Sequence, residues 1–376
     1  MKRYTSYSDL APLMAGLPES QMSVMNEGLS SRRLLAMGNP PARVQTSPPK
    51  GARIARLGRG MGALEPVSSA PSLTSYDCQF VNCQTAVLLR GAAAHLRNAL
   101  FFNDLTDFDI ATAALDVQNA TFDTASYLVA GSSGATALFT NCVLAGVSHL
   151  TTGYPTPTGS YNAFYNTTTF GSSAFTSSSS PLQAVGAASC YLTDGSTFRG
   201  VGTTAIDSAL LAELGAKTTY PPIVYYSAGG DILTSDLYLS PRAPRDTASA
   251  PDLSFHYDPI DYAFGHVWLT NATISVAPGT AIGTFATSAG WYGLALAQGS
   301  RFYCQGAPTD PVHVVRYNMV QEHSTTAWDA VGPSVMGAWY AGIPAQAAFR
   351  FTDWSMPAQD SYDFETDGEP MGPASK

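Results

Sequence analysis

Three aspartates crowd one short segment of the sequence, Asp104, Asp107 and Asp109, beside Asn103. Carboxylates this close together could bind Ca²⁺ through their oxygens. They could also act as a general acid and a general base on either side of a glycosidic bond, because Asp107 and Asp109 point to the same side of an extended segment. The competing interpretation is a solvated turn between two strands, since aspartate is favoured in turns. The three residues are therefore weak candidates for catalysis or for calcium.

Cations that could assist these acids are scarce. Arg90 and Arg97 lie within one repeat of the aspartates, but residues 73–200 contain no lysine and only one further arginine, Arg199. An arginine acts as a base only when its pKa is strongly lowered. Arg97 joins the aspartates as a weak candidate, and the scarcity of cations favours a structural role over catalysis.

No other pattern predicts a metal or cofactor site. The five cysteines are widely spaced, without a CxxC pair, and no Cys/His cluster has zinc spacing. Cys78 and Cys142 fall on the same inward position of the repeat described below, three units apart and too far from each other for a disulfide, so we expect both to be free and buried. His256, Asp258, Asp261 and His266 match no metal signature, and we expect them to make structural hydrogen bonds.

Four aromatic residues form another candidate surface. Tyr161, Phe164, Tyr165 and Phe170 lie close together in the sequence and could provide a platform on which sugar rings stack. The repeat described next places Tyr165 in the core, so at least one of the four should be buried.

An internal repeat predicts the elements that position these residues. A polar residue, a small residue, any residue and a large apolar residue recur at intervals of 21, 21, 22 and 21. The copies begin at Asp77, Asn98, Asn119, Asn141 and Asn162. A sixth copy, Ser189–Leu192, begins later than this period predicts and implies a loop inserted at Gly171–Pro181. Fixed periods of this length are typical of solenoids, in which each unit stacks on the next.

Within each unit the apolar residues have the two-residue period of a β-strand. Ala99 and Phe101, like Ala120 and Phe122, should face one interior. A second apolar set, Leu96, Val117 and Phe139, keeps the same step. The apolar triplets Val87–Leu89, Phe108–Ile110 and Tyr127–Val129 fall between successive copies of the repeat, which predicts about three short strands per coil. The sequence therefore predicts an all-β, single-stranded parallel β-helix. A leucine-rich repeat lacks its L-x-x-L-x-L-x-x-N unit here, and a β-sandwich or jelly roll remains the alternative.

The repeat also sets the predicted domain boundaries. Residues 1–70 are Pro- and Arg-rich without a sustained period, and we expect a mostly disordered basic leader with a short helix near Met22–Met37. Residues 71–352 should form the β-helix, with an irregular insertion at 200–265 that contains a short helix at Ala205–Leu214. Residues 353–376 should be an acidic flexible tail.

Charge is unevenly distributed along the chain. The net charge is −9, and residues 1–70 carry +5 of it, which leaves −14 for the remainder. An acidic body with little lysine binds phosphates poorly, so we expect no nucleic acid partner. No run of 18 apolar residues predicts a transmembrane helix, and the polar residues Tyr4–Asp9 do not resemble a signal peptide.

The repeat resembles that of a known group of proteins. The N-[AC]-x-[FL] units and the G-[ST]-x-[FL] turns, such as Gly299–Phe302, are similar to those of right-handed parallel β-helix proteins of the pectin-lyase-like superfamily; Gly279–Ile282 has the same form with isoleucine in the last place. Leu239–Pro241 followed by Asp252–Ser254 resembles the S-P…D-x-G segment of bacterial secreted and surface β-helix proteins, with Ser254 in place of the usual glycine. The resemblance covers residues 73–350 and implies an extracellular or cell-surface location.

The signatures of the superfamily's enzymes, which act on acidic polysaccharides, are incomplete here. The hydrolases carry Gly-His-Gly and Arg-x-Lys segments, but Gly265–Val267 lacks the second glycine and no Arg-x-Lys follows residue 70. The lyases use calcium-binding acids beside an arginine or lysine base. We therefore expect a non-catalytic structural or adhesive protein whose partner is a polysaccharide or cell-surface glycan. The alternative is a polysaccharide lyase or glycoside hydrolase acting on acidic polysaccharide.

Overall fold

The computed structural model describes residues 72–186, 188–285, 292–317, 335–337, 343–355 and 364–366. The predicted leader, its helix near Met22–Met37 and most of the predicted tail lie outside these residues. Within them the regular elements are β-strands, apart from one helix, and the strands pair almost throughout in parallel. The prediction of an all-β chain of stacked parallel strands is confirmed.

The first group of strands spans residues 72–192. It comprises β1 (Ser72–Val81), β2 (Val87–Arg90), β3 (Ala93–Phe102), β4 (Thr106–Ala111), β5 (Ala114–Asp123), β6 (Tyr127–Gly131), β7 (Thr136–Thr140), β8 (Val143–Ala145), β9 (His149–Thr151), β10 (Thr158–Ser160), β11 (Ala163–Tyr165), β12 (Phe175–Thr176), β13 (Leu182–Val185) and β14 (Ala188–Leu192). One parallel sheet has the order β1-β3-β5-β8-β11-β12, with β7 and β10 beside it, and a second has the order β2-β4-β6-β9.

Successive coils of this group are in register at the predicted period. Phe80 lies beside Phe101, Phe101 beside Phe122, and Phe122 beside Leu144. The three phenylalanine rings stack with centroids 4.8 and 4.7 Å apart, which is the spacing of neighbouring strands. The residues predicted to form this core are all buried: Ala99, Phe101, Ala120, Phe122, Cys142 and Leu144. All five cysteines are free, which confirms the prediction for Cys78 and Cys142. Cys142 is buried as predicted, but Cys78 is only half-buried because its strand β1 lies at the end of its sheet and has a described neighbour strand on one side only.

The coils turn at residues with left-handed backbone angles. Asp77, Asn98, Asn119 and Asn141 have φ between 52° and 58°, a conformation that asparagine and aspartate tolerate better than other side chains. The Asn98 amide donates to the Asp77 carboxylate at 2.6 Å, and the Asn141 amide donates to the Asn119 side-chain oxygen at 3.2 Å. The polar residues of the repeat therefore form a ladder along one corner.

The register departs from the predicted pattern after Asn141. The next coil is shorter than the coils before it, so Tyr161 takes the left-handed position in place of Asn162, with φ of 56°. Phe164 therefore pairs with Leu144 and is buried, and Tyr165 does not occupy the inward position that the pattern gave it. A coil shortened by a single residue exchanges the inward and outward sets of a strand.

Two further sets of predicted equivalent residues are wrong. The strand that follows β11 in the first sheet is β12, where Phe175 pairs with Ala163, so the sixth coil is much shorter than the others. Ser189–Leu192, the predicted sixth copy, lies instead in the antiparallel hairpin of β13 and β14. In the second sheet Phe108 pairs with Val129 and not with Tyr127. Both errors have one cause: similar short apolar motifs recur at positions that the backbone hydrogen bonds do not align.

Parts of residues 182–258 cover the outside of the first sheet. Helix α1 (Ser208–Leu214) begins after Asp207, whose carboxylate accepts hydrogen bonds from two backbone N–H groups of its first turn. This confirms the predicted short helix, with a start three residues later. The Asn98 side chain exchanges two hydrogen bonds with the backbone of His256, at 2.7 and 2.8 Å. The Asn119 amide donates to the carbonyl of Asp252. The insertion therefore runs across the coils and braces the corner ladder.

Ser254 within this insertion has a strained backbone. Its φ is 113°, a region that favours glycine, and it is fully buried. We expect Ser254→Gly to raise the free energy of unfolding by about 1 kcal/mol, because relief of the strain exceeds the loss of the Oγ hydrogen bond to the Phe255 carbonyl. Chemical denaturation measures the change, and Ser254→Val should lower stability. A glycine variant no more stable than the wild type would contradict the strain.

The second group of strands begins at residue 223. It comprises β15 (Ile223–Leu233), β16 (Leu237–Leu239), β17 (Tyr262–Leu269), β18 (Thr273–Val276), β19 (Ala281–Phe285), β20 (Leu294–Leu296), β21 (Arg301–Gln305), β22 (Val312–Arg316), β23 (Val335–Gly337), β24 (Gln346–Arg350), β25 (Thr352–Ser355) and β26 (Phe364–Thr366). One parallel sheet has the order β25-β22-β19-β17-β20-β23-β26, with β15 beside β17, and another has the order β16-β18-β21-β24.

Coils of the second group keep their register while their loops vary in length. Ile223, Tyr262, Ile282 and Val314 are aligned on neighbouring strands although their spacing in the sequence is uneven. Such uneven steps explain why the repeat is lost in the sequence after residue 200. Ile282 and Phe302, the last residues of Gly279–Ile282 and Gly299–Phe302, lie in different sheets, so these two turns do not occupy equivalent positions in successive coils. Most of β25 and all of β26 lie after residue 352, within the segment 353–376 that we predicted to be a flexible tail.

Candidate functional site

The structure separates the three aspartates of the predicted site. Asp104 and Asp107 are buried, with 4% and 0% of their surfaces exposed. Asp107 lies between the pairs Thr106–Tyr127 and Phe108–Val129, so its neighbour in the next coil is the core residue Leu128. The Asp109 side chain is 35% exposed and forms an ion pair with Arg90 at 2.9 Å. Asp107 and Asp109 thus have different environments, contrary to our expectation, and the three acids do not converge on a groove.

The two buried carboxyls are short of hydrogen-bond donors. Asp104 Oδ1 accepts from the Cys83 backbone N–H at 2.6 Å. Asp104 Oδ2 and both oxygens of Asp107 have no hydrogen-bond partner among the described residues. Burial raises the pKa of Asp104 to about 6. Burial, together with the neighbouring Asp104 charge, raises the pKa of Asp107 well above its ordinary value. Such an environment stabilises the neutral, protonated form of a carboxyl group.

Calcium does not fit this pair. Ca²⁺ takes about six to eight oxygen ligands, and Asp109, the third acid of the predicted set, is engaged with Arg90. In the part of the chain that the structure describes, no group of three or more His, Cys, Asp or Glu side chains is arranged to hold a metal ion. The carboxyl groups of Asp104 and Asp107 can hold protons, but they are buried and not open to solvent.

Each arginine of residues 73–200 is paired with an acid. Arg97 is buried and donates to Asp116 Oδ2 at 2.5 Å and to the carbonyls of Leu96 and Asp116 at 3.1 Å. Arg199 donates to Asp252 Oδ2 at 3.0 Å. The Arg97 guanidinium therefore bonds to residues of β3 and β5. It does not bond to Asp104, Asp107 or Asp109, with which we grouped it from the sequence.

A second polar group, centred on Asp116, was missed by our sequence analysis. The coil register places His95 beside Asp116 and Arg97 beside Gln118. His95 Nδ1 lies 3.3 Å from Asp116 Oδ2, and Gln118 Nε2 donates to the same oxygen at 3.4 Å. The side chains of His95 and Asp116 are 42% and 21% exposed. An imidazole, a carboxylate and a guanidinium therefore meet at the solvent boundary, where they could move a proton and attract an anion. The period of the repeat alone could have identified the pair of His95 and Asp116.

The aromatic residues at 161–170 do not form an exposed platform. Phe164 is 2% exposed, and Phe170 packs edge-on against it at 5.2 Å. Tyr161 packs against the apolar cluster that contains Val143 and Leu192. Three of the four predicted sugar-stacking residues therefore stabilise the fold, and Tyr165 is half-buried.

The polar residues at 256–266 make structural contacts. His256 is fully buried, with Nε2 2.8 Å from Asp246 Oδ2. Asp258 pairs with Lys217 at 2.7 Å, and Asp261 accepts hydrogen bonds from the backbone N–H groups of residues 242, 243 and 281. The expectation of structural hydrogen bonds is confirmed for these three residues.

Comparison with known proteins places the chain in no family. No family model matches it, and no curated protein matches it. Among solved structures, it is similar to a mutant of the PL6 family alginate lyase AlyGC, with 10% sequence identity and a TM-score of 0.17 over 79% of this chain and 54% of that chain. The chain thus spans about half the length of that structure, and so low a TM-score carries no argument about function. No helix among the described residues is long and apolar enough to cross a membrane.

Proposed function

We propose that this protein is a non-catalytic structural or adhesive parallel β-helix, secreted or displayed on the cell surface, that contacts polysaccharide. The interior position of Asp104 and Asp107 carries the proposal. Asp107, one member of the Asp107 and Asp109 pair that the sequence offered as acid and base, is a neighbour of core side chains, and Asp104 is buried as well. They therefore lack the access to substrate that an acid and a base require.

Packing between the sheets supports closed coils. The Phe101 ring on β3 lies 4.9 Å from the Phe108 ring on β4, and Phe108 contacts Phe139 on β7 at 6.1 Å. Side chains from both sheets thus fill one interior, as a closed coil requires. Connections between parallel strands of one sheet are almost always right-handed, so we propose a right-handed β-helix.

The distribution of cations supports a non-catalytic role. Elimination from an acidic polysaccharide needs a base at the proton next to the carboxylate and a cation that neutralises that carboxylate. Arg97 and Arg199 are tied to Asp116 and Asp252, and Arg90 is tied to Asp109. In each of these pairs the aspartate neutralises the arginine, and the pair links two neighbouring segments of the chain. These arginines therefore stabilise the fold.

An assay for turnover tests the proposal. The purified chain is incubated with pectate, alginate and neutral glycans, with and without Ca²⁺, and unsaturated products and reducing ends are followed. We expect no cleavage of any of these substrates. Turnover that is abolished by Asp107→Ala and by Asp109→Ala, in variants with unchanged circular dichroism, would contradict a non-catalytic role.

A second candidate, a polysaccharide lyase, is favoured by the group around Asp116. His95 is exposed enough to reach a substrate proton, and Arg97 lies within hydrogen-bond distance of the same carboxylate. If the chain is a lyase at this position, His95→Gln and Asp116→Asn would abolish turnover, whereas Asp109→Asn would leave it unchanged. The same assay therefore separates the two candidates.

A further inference from the structure

The outer side of the sheet β16-β18-β21-β24 carries several exposed polar and aromatic residues. Tyr238 is 73% exposed, the highest value among the large apolar and aromatic residues described. Arg301, Gln346 and Arg350 are also exposed. We call this surface the tyrosine face, and its members are Tyr238, Ser275, Arg301, Tyr303, Gln346 and Arg350.

The register spaces the two tyrosines regularly. Tyr238 lies beside Ser275, and Ser275 lies beside Tyr303. With parallel strands about 4.8 Å apart, the tyrosines are about 10 Å apart across the strands. The residue between them, Ser275, is small; the Tyr238 ring is exposed and the Tyr303 ring is half-buried. This spacing suits alternate pyranose rings of an extended polysaccharide, whose apolar faces pack against aromatic rings.

The polar neighbours of Tyr303 are fixed by the same register. Arg301 lies beside Gln346 on the next strand, and the Tyr303 hydroxyl donates to Gln346 Oε1 at 3.0 Å. The aromatic ring is thus held in place, while the amide nitrogen of Gln346 remains a donor for a sugar hydroxyl.

The charges of the tyrosine face select an anionic ligand. Arg301 precedes Tyr303 by two residues, and Arg350 lies beside Gln305, two residues after Tyr303. In contrast to Arg90, Arg97 and Arg199, neither arginine forms an ion pair with a described residue. Two exposed guanidinium groups that form no ion pair with a described acid can pair with the carboxylates of a ligand.

We propose that the tyrosine face binds a linear, carboxylate-bearing polysaccharide. Pyranose rings stack on Tyr238 and Tyr303, and carboxylates pair with Arg301 and Arg350. This inference rests on the proposed function, because it assigns the polysaccharide contact to one surface. That surface is separate from the aspartates of β4 and from the group around Asp116, and it needs no catalytic step.

Affinity electrophoresis and titration calorimetry with alginate and pectate as probes, at low salt and without Ca²⁺, test the assignment. We expect the wild type to bind both probes, and the Tyr238→Ala/Tyr303→Ala double variant to lose about tenfold in affinity, because two stacking contacts are removed. Arg301→Gln/Arg350→Gln should reduce affinity similarly and remove the salt dependence. Neutral dextran should bind more weakly than either anionic probe.

Tyr154→Ala is the matched control, because Tyr154 is 60% exposed and lies in the first group of coils. It should bind like the wild type. Variants at the exposed Tyr238, Arg301 and Arg350 should keep the wild-type thermal transition, and Tyr238→Ala alone should weaken binding without removing the hydrogen bond of the half-buried Tyr303. Wild-type affinity in both double variants would overturn the tyrosine face while leaving a polysaccharide contact elsewhere intact. A wild type that binds no probe would overturn the polysaccharide contact of the proposed function as well.

Discussion

Replacing Phe122 with alanine is expected to lower the free energy of unfolding by about 3–5 kcal/mol. The Phe122 side chain is fully buried and stacks on Phe101 at 4.7 Å. Phe108 and Phe139 close around the same ring at 5.9 and 5.7 Å. The strands on either side hold these neighbours in place, so the cavity left by the missing ring cannot collapse. Urea denaturation followed by circular dichroism measures the loss.

Leu138→Ala provides the matched control for this experiment. Leu138 lies in the coil next to that of Phe122 but is 44% exposed. Its truncation should change stability by less than about 1 kcal/mol. A Phe122→Ala variant as stable as the Leu138→Ala variant would show that Phe122 does not lie in the interior of the coil.

Replacing Asp107 with asparagine is expected to raise stability at pH 8 and to reduce its dependence on pH. Burial and the Asp104 charge raise the pKa of Asp107 well above its ordinary value, so the folded chain retains a proton that the unfolded chain has lost. The contribution of Asp107 to the stability of the wild type is therefore greatest below about pH 4 and falls as the pH rises towards the folded-state pKa. Asparagine stays neutral at every pH and removes this loss. Urea midpoints between pH 4 and pH 8 measure the difference.

Substitutions of Asp104 and Asp109 provide the comparison for the effect of Asp107→Asn on stability. A rise in the pKa of Asp104 from 3.8 to about 6 corresponds to about 3 kcal/mol of stability lost across that pH window. Asp104→Asn should recover part of this loss at pH 8. Asp109→Asn, at the half-exposed ion pair with Arg90, should not raise stability at any pH. An Asp107→Asn variant with the same pH profile as the wild type would contradict a buried, proton-holding carboxyl.

The sequence predicted the fold best where the coils are most regular. From Asp77 to Asn141 each coil repeats one apolar pattern at nearly constant length, so the inward residues could be read from their spacing. Beyond Asn141 the next two coils become progressively shorter, and the coil between Ile223 and Tyr262 is much longer. Strand pairing there depends on hydrogen bonds between segments of unequal loop length, which no fixed period can reveal.

The candidate site was harder to predict because burial and charge pairing arise from the packing of distant segments. An aspartate between two strands has the sequence features of a solvated turn, yet the next coil encloses Asp107. Arg97 was identified as a cation, but its partner Asp116 becomes evident only when the register of the repeat is applied across two strands. Tyr238 and Tyr303 are typical strand residues, and their exposure depends on which side of a coil remains uncovered.

The place of Asp107 in the coil interior is the observation on which the proposed structural role rests, and the titration of its carboxyl group tests that place directly. Its carboxyl carbon can be followed by ¹³C NMR in labelled protein between pH 3 and pH 9, with Asp107→Asn to assign the signal. A buried carboxyl enclosed by the coil predicts a titration midpoint well above the ordinary value of 3.8. A midpoint near 3.8 would show a solvated carboxylate and would contradict its place in the interior.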